Sequence, residues 1–358
     1  MMLIDGIHVP LATPFYRDGA LYLRKLEHNV RRYSLTPAAG LVLFAPGAEG
    51  TSLSDAEVAE CLSAVRETAA AEKVLVCAIT RDSVAQALSL AQQAYDAMFD
   101  AVLLAAPTSW SAIVRRTGER ELLNYFRTVA DNSPLPVLLW SDAAAPSRQL
   151  SVEAVGLLAQ HPNILGLYDG ALAVERLGAL RAATSGVAHD ATVTHIFRPV
   201  TRRMLAPVAE VAGESTFVSA EALLGGAGTS VALAPAAPAI KTRTKKLGFA
   251  IMACGASSEM LPILEAGANG AMPALAAPAP QGVHEAYAAF TDGNLALARE
   301  KAARLVAADA VLAELGPAGT KYACDLNGYF GGFPRLPLAP ADAAEQKRVE
   351  AAFRELKN

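Results

Sequence analysis

The chain has 358 residues, 53% hydrophobic and 18% charged, with 31 Lys and Arg against 35 Asp and Glu and a net charge of −4. A mean hydropathy of +0.27 without a run of about 18 uninterrupted apolar residues assigns the apolar content to a buried core and excludes a membrane span. The balance is slightly acidic and no Lys/Arg stripe is interleaved with aromatics, so nothing neutralises phosphate and nucleic acid is excluded as the expected partner.

Cys61, Cys77, Cys254 and Cys324 stand far apart without a C-x-x-C pair, and the six histidines are scattered without an H-E-x-x-H pattern. The expectation is a disulfide-free chain with no metal and no cofactor. MMLIDGIHVPLATPF lacks the charged and apolar regions of a signal peptide, so the expected location is cytoplasmic.

Short apolar runs alternate with helical patterns along the chain. The runs are Ile7 to Ala12, Leu41 to Ala45, Val74 to Ile79, Ala101 to Ala106, Val137 to Trp140, Ile164 to Tyr168, Phe249 to Cys254 and Ala271 to Ala276. Between them, Asp55 to Ala71 reads as a helix opened by Ser54 as N-cap, and Ser83 to Asp96 follows a 3.6-residue period. Continuous apolar strands imply burial on both faces and hence a parallel sheet. Eight β-α units over about 250 residues is the arithmetic of a (β/α)8 TIM barrel, an α/β fold. An open doubly wound sheet would place a glycine-rich turn after its first strand. The one near miss, Gly225-Gly226-Ala227-Gly228, reads as a loop.

From about residue 186 to 247, between strands six and seven, the chain carries some 60 residues where a barrel needs about 20. This long insertion is partly helical and basic at first, then Ala/Pro/Gly-rich, and ends in a Lys/Arg/Thr cluster. It is expected to be a lid or a subunit contact with a mobile part, or else a poorly ordered excursion. After the eighth strand, Gly282 to Phe290, Leu295 to Leu315, Thr320 to Leu326 and Pro340 to Leu356 are helical patterns. The expected organisation is a barrel over residues 1–293, interrupted at 186–247, followed by a helical C-terminal extension over 294–358.

Barrel chemistry sits at the C-terminal ends of the strands. Those ends read Ala45-Pro46-Gly47-Ala48-Glu49, Pro107-Thr108-Ser109-Trp110, Trp140-Ser141-Asp142, Tyr168-Asp169-Gly170 and Cys254-Gly255-Ala256-Ser257, without a lysine. The motif order resembles the dihydrodipicolinate synthase and N-acetylneuraminate lyase family nearly end to end, apart from the insertion. PLATPFYRDGAL is similar to the family's first strand and turn, and APGAEGTSLSDAE stands where the family writes G-T-T-G-E. HPNILGLYDGA is similar to its lysine-bearing strand, MACGASSEMLPILEAGANGAMPALAAP to its last two strands, and TKYACDLNGYFGGFPRLPLAP to its closing signature.

The resemblance implies a class I, Schiff-base aldolase-like lyase acting on a small 2-keto or hydroxy acid, assembled as a homo-oligomer, dimer or tetramer. It also marks departures. The family's Schiff-base lysine falls on Tyr168, and a phenol forms no imine. Its relay tyrosine falls on Trp140, whose indole N–H donates a hydrogen bond but shuttles no proton near neutral pH. Its two carboxylate-binding threonines fall on Pro46 and Gly47, the tyrosine lent by a neighbouring subunit near Ser109, and an arginine near Ala145. Standard activity is therefore expected to be absent or altered.

Further pocket candidates are Glu49, Trp110 and Cys254. Tyr168 and Trp140 either fill the barrel mouth with bulk or line a new ligand pocket. Glu49 reads best as structural at the start of the next helix, Arg148 as a solvated residue, Cys254 as a small buried hydrophobe, and Lys321 as structural. Two other readings stand beside loss of activity. One is an active lyase using a displaced lysine, with Lys241, Lys245 and Lys246 of the insertion folded over the mouth. The other is a non-catalytic binding or scaffold barrel. A mouth plugged by Trp140 and Tyr168 favours the binding or scaffold barrel; an open cavity with Glu49, Asp142 or Asp169 converging on it favours an enzyme.

Overall fold

A computed structural model of the chain describes residues 2–107, 109, 119–141, 148–206 and 240–356. Eight parallel strands close into a barrel: β1 (Gly6–Pro10), β2 (Gly40–Leu43), β3 (Val74–Ala78), β4 (Ala101–Ala105), β5 (Val137–Ser141), β6 (Ile164–Asp169), β9 (Ala250–Ala253) and β10 (Gly270–Ala271). β10 closes the ring on β1, and β6 is hydrogen-bonded directly to β9, so β7 (His189–Thr194) and β8 (Thr242–Leu247) stand outside it. The barrel strands are buried along their lengths, as apolar runs covered on both faces require.

Around them lie α1 (Leu23–Ser34), α2 (Asp55–Thr68), α3 (Val84–Asp96), α4 (Arg120–Asn132), α5 (Val152–Leu158), α6 (Val174–Ala183) and α8 (Met260–Glu265). The Ser54 cap read from the sequence holds. Ser54 accepts from the Glu57 N–H while the Glu57 side chain accepts from the Ser54 N–H, and Ser83 and Ser151 accept from the Gln86 and Ala154 N–H groups at the starts of α3 and α5. The last strand is shorter than its apolar run. Pro273 brings no N–H to the ladder, and Ala274–Ala276 winds into one turn of 3-10 helix instead of extending β10. The ring closes where two glycines meet, since a Cβ on Gly270 would lie 2.0 Å from the Gly6 carbonyl oxygen.

After the barrel come α9 (Pro280–Thr291), α10 (Leu295–Ala303), α11 (Val306–Leu326) and α12 (Ala343–Ala352). The continuous pattern from Leu295 is two helices, and the second is kinked at Gly316, with φ +57°, just before Pro317.

The insertion between β6 and β9 departs from the lid expectation. β7 (His189–Thr194) and β8 (Thr242–Leu247) form an antiparallel pair, with α7 (Arg202–Leu205) in the described part between them. The Lys/Arg/Thr cluster is thus a strand, with Lys245 opposite Ala191 and Lys246 opposite Asp190. β8 ends three residues before β9 begins, which puts this pair at the N-terminal end of the barrel strands. The docking contacts agree. The Arg202 N–H donates to Asp100 at 2.7 Å and its guanidinium to the Tyr95 and Phe99 carbonyls, while Thr201 donates to the Ala71 carbonyl and Arg203 to those of Ala69 and Lys73. All of these acceptors precede β3 or β4. Asp100 is buried and also accepts from the Leu75 N–H, so one carboxylate ties β3 to the insertion.

Candidate active site

Strand register brings the sequence-selected residues of β5 and β6 together. Trp140 lies opposite Tyr168, and Tyr168 opposite Met252 of β9. Tyr168 is fully buried, and its hydroxyl is hydrogen-bonded to His8 Nδ1 at 2.8 Å, an interaction that runs across the barrel to β1. Burial, with Cys254 adding to it, holds the Tyr168 phenol well above its ordinary range. Burial also pushes the His8 imidazole down to about 4, so at neutral pH the pair is an uncharged phenol and an uncharged imidazole. The His8 ring fits because Gly40 lies beside it; a Cβ there would stand 2.8 Å from His8 Cε1.

Trp140 is 9% exposed, and its Nε1 has no hydrogen-bond partner among the described residues; nor has His8 Nε2. Cys254, at the end of β9, has a thiol pushed well above its usual range by burial. Its sulfur lies 3.9 Å from the Met252 carbonyl, so the thiol is a protonated group held among backbone, as the sequence suggests.

Among the described residues, two of the acids that an open catalytic pocket needs, Glu49 and Asp169, are committed elsewhere. Glu49 adopts φ +58° and is buried, with Oε2 2.5 Å from Lys321 Nζ and Oε1 accepting from the Arg335 N–H at 2.8 Å. Lys321 also donates to the Phe333 carbonyl at 2.8 Å and lies over the Phe15 ring. Glu49 is therefore a clasp between the strand-two loop and the C-terminal extension. Arg335 tightens it through Glu57 and the Gly19 and Ser52 carbonyls. Asp169 is buried, paired with Arg176 at 2.7 Å, and accepts from the Ala171 N–H; Arg176 in turn donates to the Leu150 carbonyl.

Pro46 and Gly47 border a cavity of about 130 Å³ with Pro10, Ala12, Pro317 and Lys321. A second cavity, about 200 Å³, is walled by Gly170 to Ala173, Gly255, Ala256 and Glu259 at the ends of β6 and β9. Ser109 is exposed, its N–H 3.4 Å from Asp82 Oδ1, and Arg148 is half-buried where the sequence suggests a solvated residue. Trp110, Asp142 and Ala145 lie outside the described residues.

Lys241, Lys245 and Lys246 stand on or beside β8, at the opposite end of the strands from Tyr168, which speaks against the alternative in which they fold over the mouth. Among the described residues no three His, Cys, Asp or Glu side chains group to hold a metal ion, and no helix is long and apolar enough to cross a membrane. His8 and Arg176 are the residues that sequence reasoning passes over. The signal for His8 is present in IHVPLA, where it is the one ionisable side chain in an otherwise apolar strand. Nothing local marks Arg176.

Comparison with known proteins agrees with this architecture. The sequence model of the Dihydrodipicolinate synthetase family matches residues 3–187 and 236–356. The 4-hydroxy-tetrahydrodipicolinate synthase of Exiguobacterium sp. is 23% identical over 352 residues, which span 98% of this chain and 97% of that one. Its counterpart in Methanothrix thermoacetophila is 26% identical over 347 residues, 96% of this chain and 95% of that one. Among solved structures, a dihydrodipicolinate synthase from Bacillus anthracis superposes with a TM-score of 0.76 at 18% identity, covering 100% of both chains. A prophage protein of the dihydrodipicolinic acid synthase family from E. coli, solved in complex with pyruvate, gives 0.74 at 19% identity and covers 99% of each.

Proposed function

Because the chain belongs to the dihydrodipicolinate synthetase family, we propose that it is a barrel of that family without Schiff-base lyase activity, retained as a binding or scaffold protein. The observation that carries this reading is Tyr168. It stands at the β6 position where the resemblance puts the lysine, is fully buried, and spends its hydroxyl on His8. A Schiff base needs an amine that can lose its proton, reach a carbonyl carbon and expel water. Tyr168 offers none of these, and Trp140 beside it carries no transferable proton near neutral pH. The commitment of Glu49 to Lys321 and of Asp169 to Arg176 supports the same conclusion, since neither carboxylate is left to act as a general base.

Any small 2-keto or hydroxy acid that binds is held without a covalent bond. A homo-oligomer follows the family habit, although one solved relative with a TM-score of 0.74 is a monomeric dihydrodipicolinate synthase variant. The four unpaired cysteines support a reducing, cytoplasmic setting.

The test is borohydride trapping. The protein is incubated with pyruvate and separately with other 2-keto acids, reduced, and read by intact mass and peptide mapping beside an active family lyase. No adduct on this chain is expected, with full labelling of the control. A stable adduct on any lysine overturns the proposal. An adduct on Lys321, the amine that borders the cavity with Pro46 and Gly47, would establish the displaced-lysine enzyme instead.

A further inference from the structure

A cavity larger than the two at the barrel mouth lies far from it. It has a volume of about 1060 Å³, at the upper end of the range for small-molecule sites, and opens between the insertion and the N-terminal face of the barrel. Two kinds of surface meet in it. Leu35, Ile196, Phe197 and Ile240 line it and are 89%, 55%, 51% and 39% exposed, so large apolar side chains that are usually scattered singly are gathered in one concavity. Arg198, Lys241 and Lys245 line the same space.

The other charges of the wall are largely committed. Lys73 donates to the Thr36 and Ala38 carbonyls, and Asp5 accepts from Asn269 and faces Lys245, leaving Glu72 as the second acid. Arg198 and Lys241 hold no ion pair among the described residues. His284 adds a buried Nδ1 without a hydrogen-bond partner among the described residues. In a chain of net charge −4, this places cations without an ion pair among the described residues beside exposed apolar side chains.

We propose that this cavity is a binding site for a single small amphipathic anion, with a carboxylate or phosphate head on Arg198 and Lys241 and an apolar body against Leu35, Ile196, Phe197 and Ile240. Arginine and lysine supply charge-assisted hydrogen bonds to such a head group, and the apolar wall supplies the area that an inorganic anion cannot use. A concave site commits the occupant to a free molecule rather than a lipid surface. The site is independent of the barrel mouth and of whether the mouth is catalytic.

The full-length protein is titrated calorimetrically with decanoate, decyl phosphate, decanol and decyltrimethylammonium, below their micelle concentrations, and by sedimentation with phosphatidylglycerol vesicles. The two anions are expected to bind with one-to-one stoichiometry, at least tenfold more tightly than the alcohol or the cation. The double variant Arg198→Glu, Lys241→Glu is expected to weaken anion binding at least tenfold with an unchanged melting temperature, and Ile196→Ser to weaken it severalfold. The proposal is overturned by no anion binding, by equal binding of decanol, by binding indifferent to the double variant, or by association with vesicles alone. Binding that is lost in Tyr168→Phe instead would place the ligand at the barrel mouth and also overturn it.

Discussion

His8 makes the barrel interior sensitive to acid, and the size of the effect follows from its burial. Its ring is fully buried and its pKa is pushed down to about 4, whereas an unfolded histidine titrates near its ordinary value of 6.5. Between those values the unfolded chain binds one proton more than the folded chain through this residue. Stability from His8 is therefore complete above pH 6.5 and is lost as pH falls through the window towards 4. At about 1.4 kcal/mol per pKa unit, the loss is about 3 kcal/mol across the window and about 2 kcal/mol by pH 5.

The assay is urea unfolding of the wild type and His8→Leu at pH 7.5 and pH 5.0. The leucine variant leaves the Tyr168 hydroxyl unpaired, which costs about 1–3 kcal/mol at both pH values and cancels in the comparison. Other titrating groups cancel as well. The wild type is expected to lose about 2 kcal/mol more than the variant between the two pH values, by order of magnitude. Equal losses in the two proteins, within about 0.5 kcal/mol, would refute the assignment of His8 as a buried neutral imidazole.

Three further outcomes follow from the same contacts. Gly40→Ala places a methyl 2.8 Å from His8 Cε1 and 3.0 Å from the Val74 carbonyl oxygen, so it should destabilise by about 1–3 kcal/mol. Combining it with His8→Ala should cost less than the sum of the two single changes, a coupling that a double-mutant cycle in urea measures. Lys321→Met strands the buried Glu49 carboxylate and should cost about 3–5 kcal/mol, while Glu49→Gln with Lys321→Met should recover most of it, read from chemical denaturation midpoints. Asp100→Ala removes the acceptor shared by the Leu75 and Arg202 N–H groups. Hydrogen exchange at Arg202 to Leu205 should then quicken while the amides of β5 keep their protection; unchanged exchange at α7 would show that Asp100 does not hold the insertion.

The barrel is legible because its strands are local patterns. Seven of its eight strands coincide with their apolar runs to within two residues at each end, since a strand buried on both faces must be apolar throughout. The eighth run outlasts its strand because apolar content says nothing about which N–H groups pair, and Pro273 ends the ladder there. The helix start at Asp55 was readable to the residue because the capping box is spelled within four positions, Ser54 to Glu57.

The contents of the barrel were only half legible. Tyr168 and Trp140 were found by their place at strand ends, and register brings them side by side. The bond between Tyr168 and His8 joins residues 160 positions apart, and no local signal specifies it. Glu49 and Lys321 each read as structural in the sequence, yet their mutual ion pair depends on the C-terminal extension returning to the strand-two loop. The insertion shows the same limit most sharply. Its composition suggested a lid, but the acceptors that hold it, Asp100 and the carbonyls of Ala69, Ala71 and Lys73, lie at the opposite end of the strands from Tyr168.

By itself, then, the sequence determined the order of strands and helices, the family resemblance and the side chains offered at each strand end, because these follow from hydrophobic period, caps and motif order within short windows. Tertiary structure alone decided that Tyr168 faces His8, that Glu49 answers Lys321, and that the insertion's lysines sit beneath the barrel. Each of those outcomes is a pairing between distant groups, fixed by ring closure and by the free-energy cost of leaving buried polar atoms unpaired.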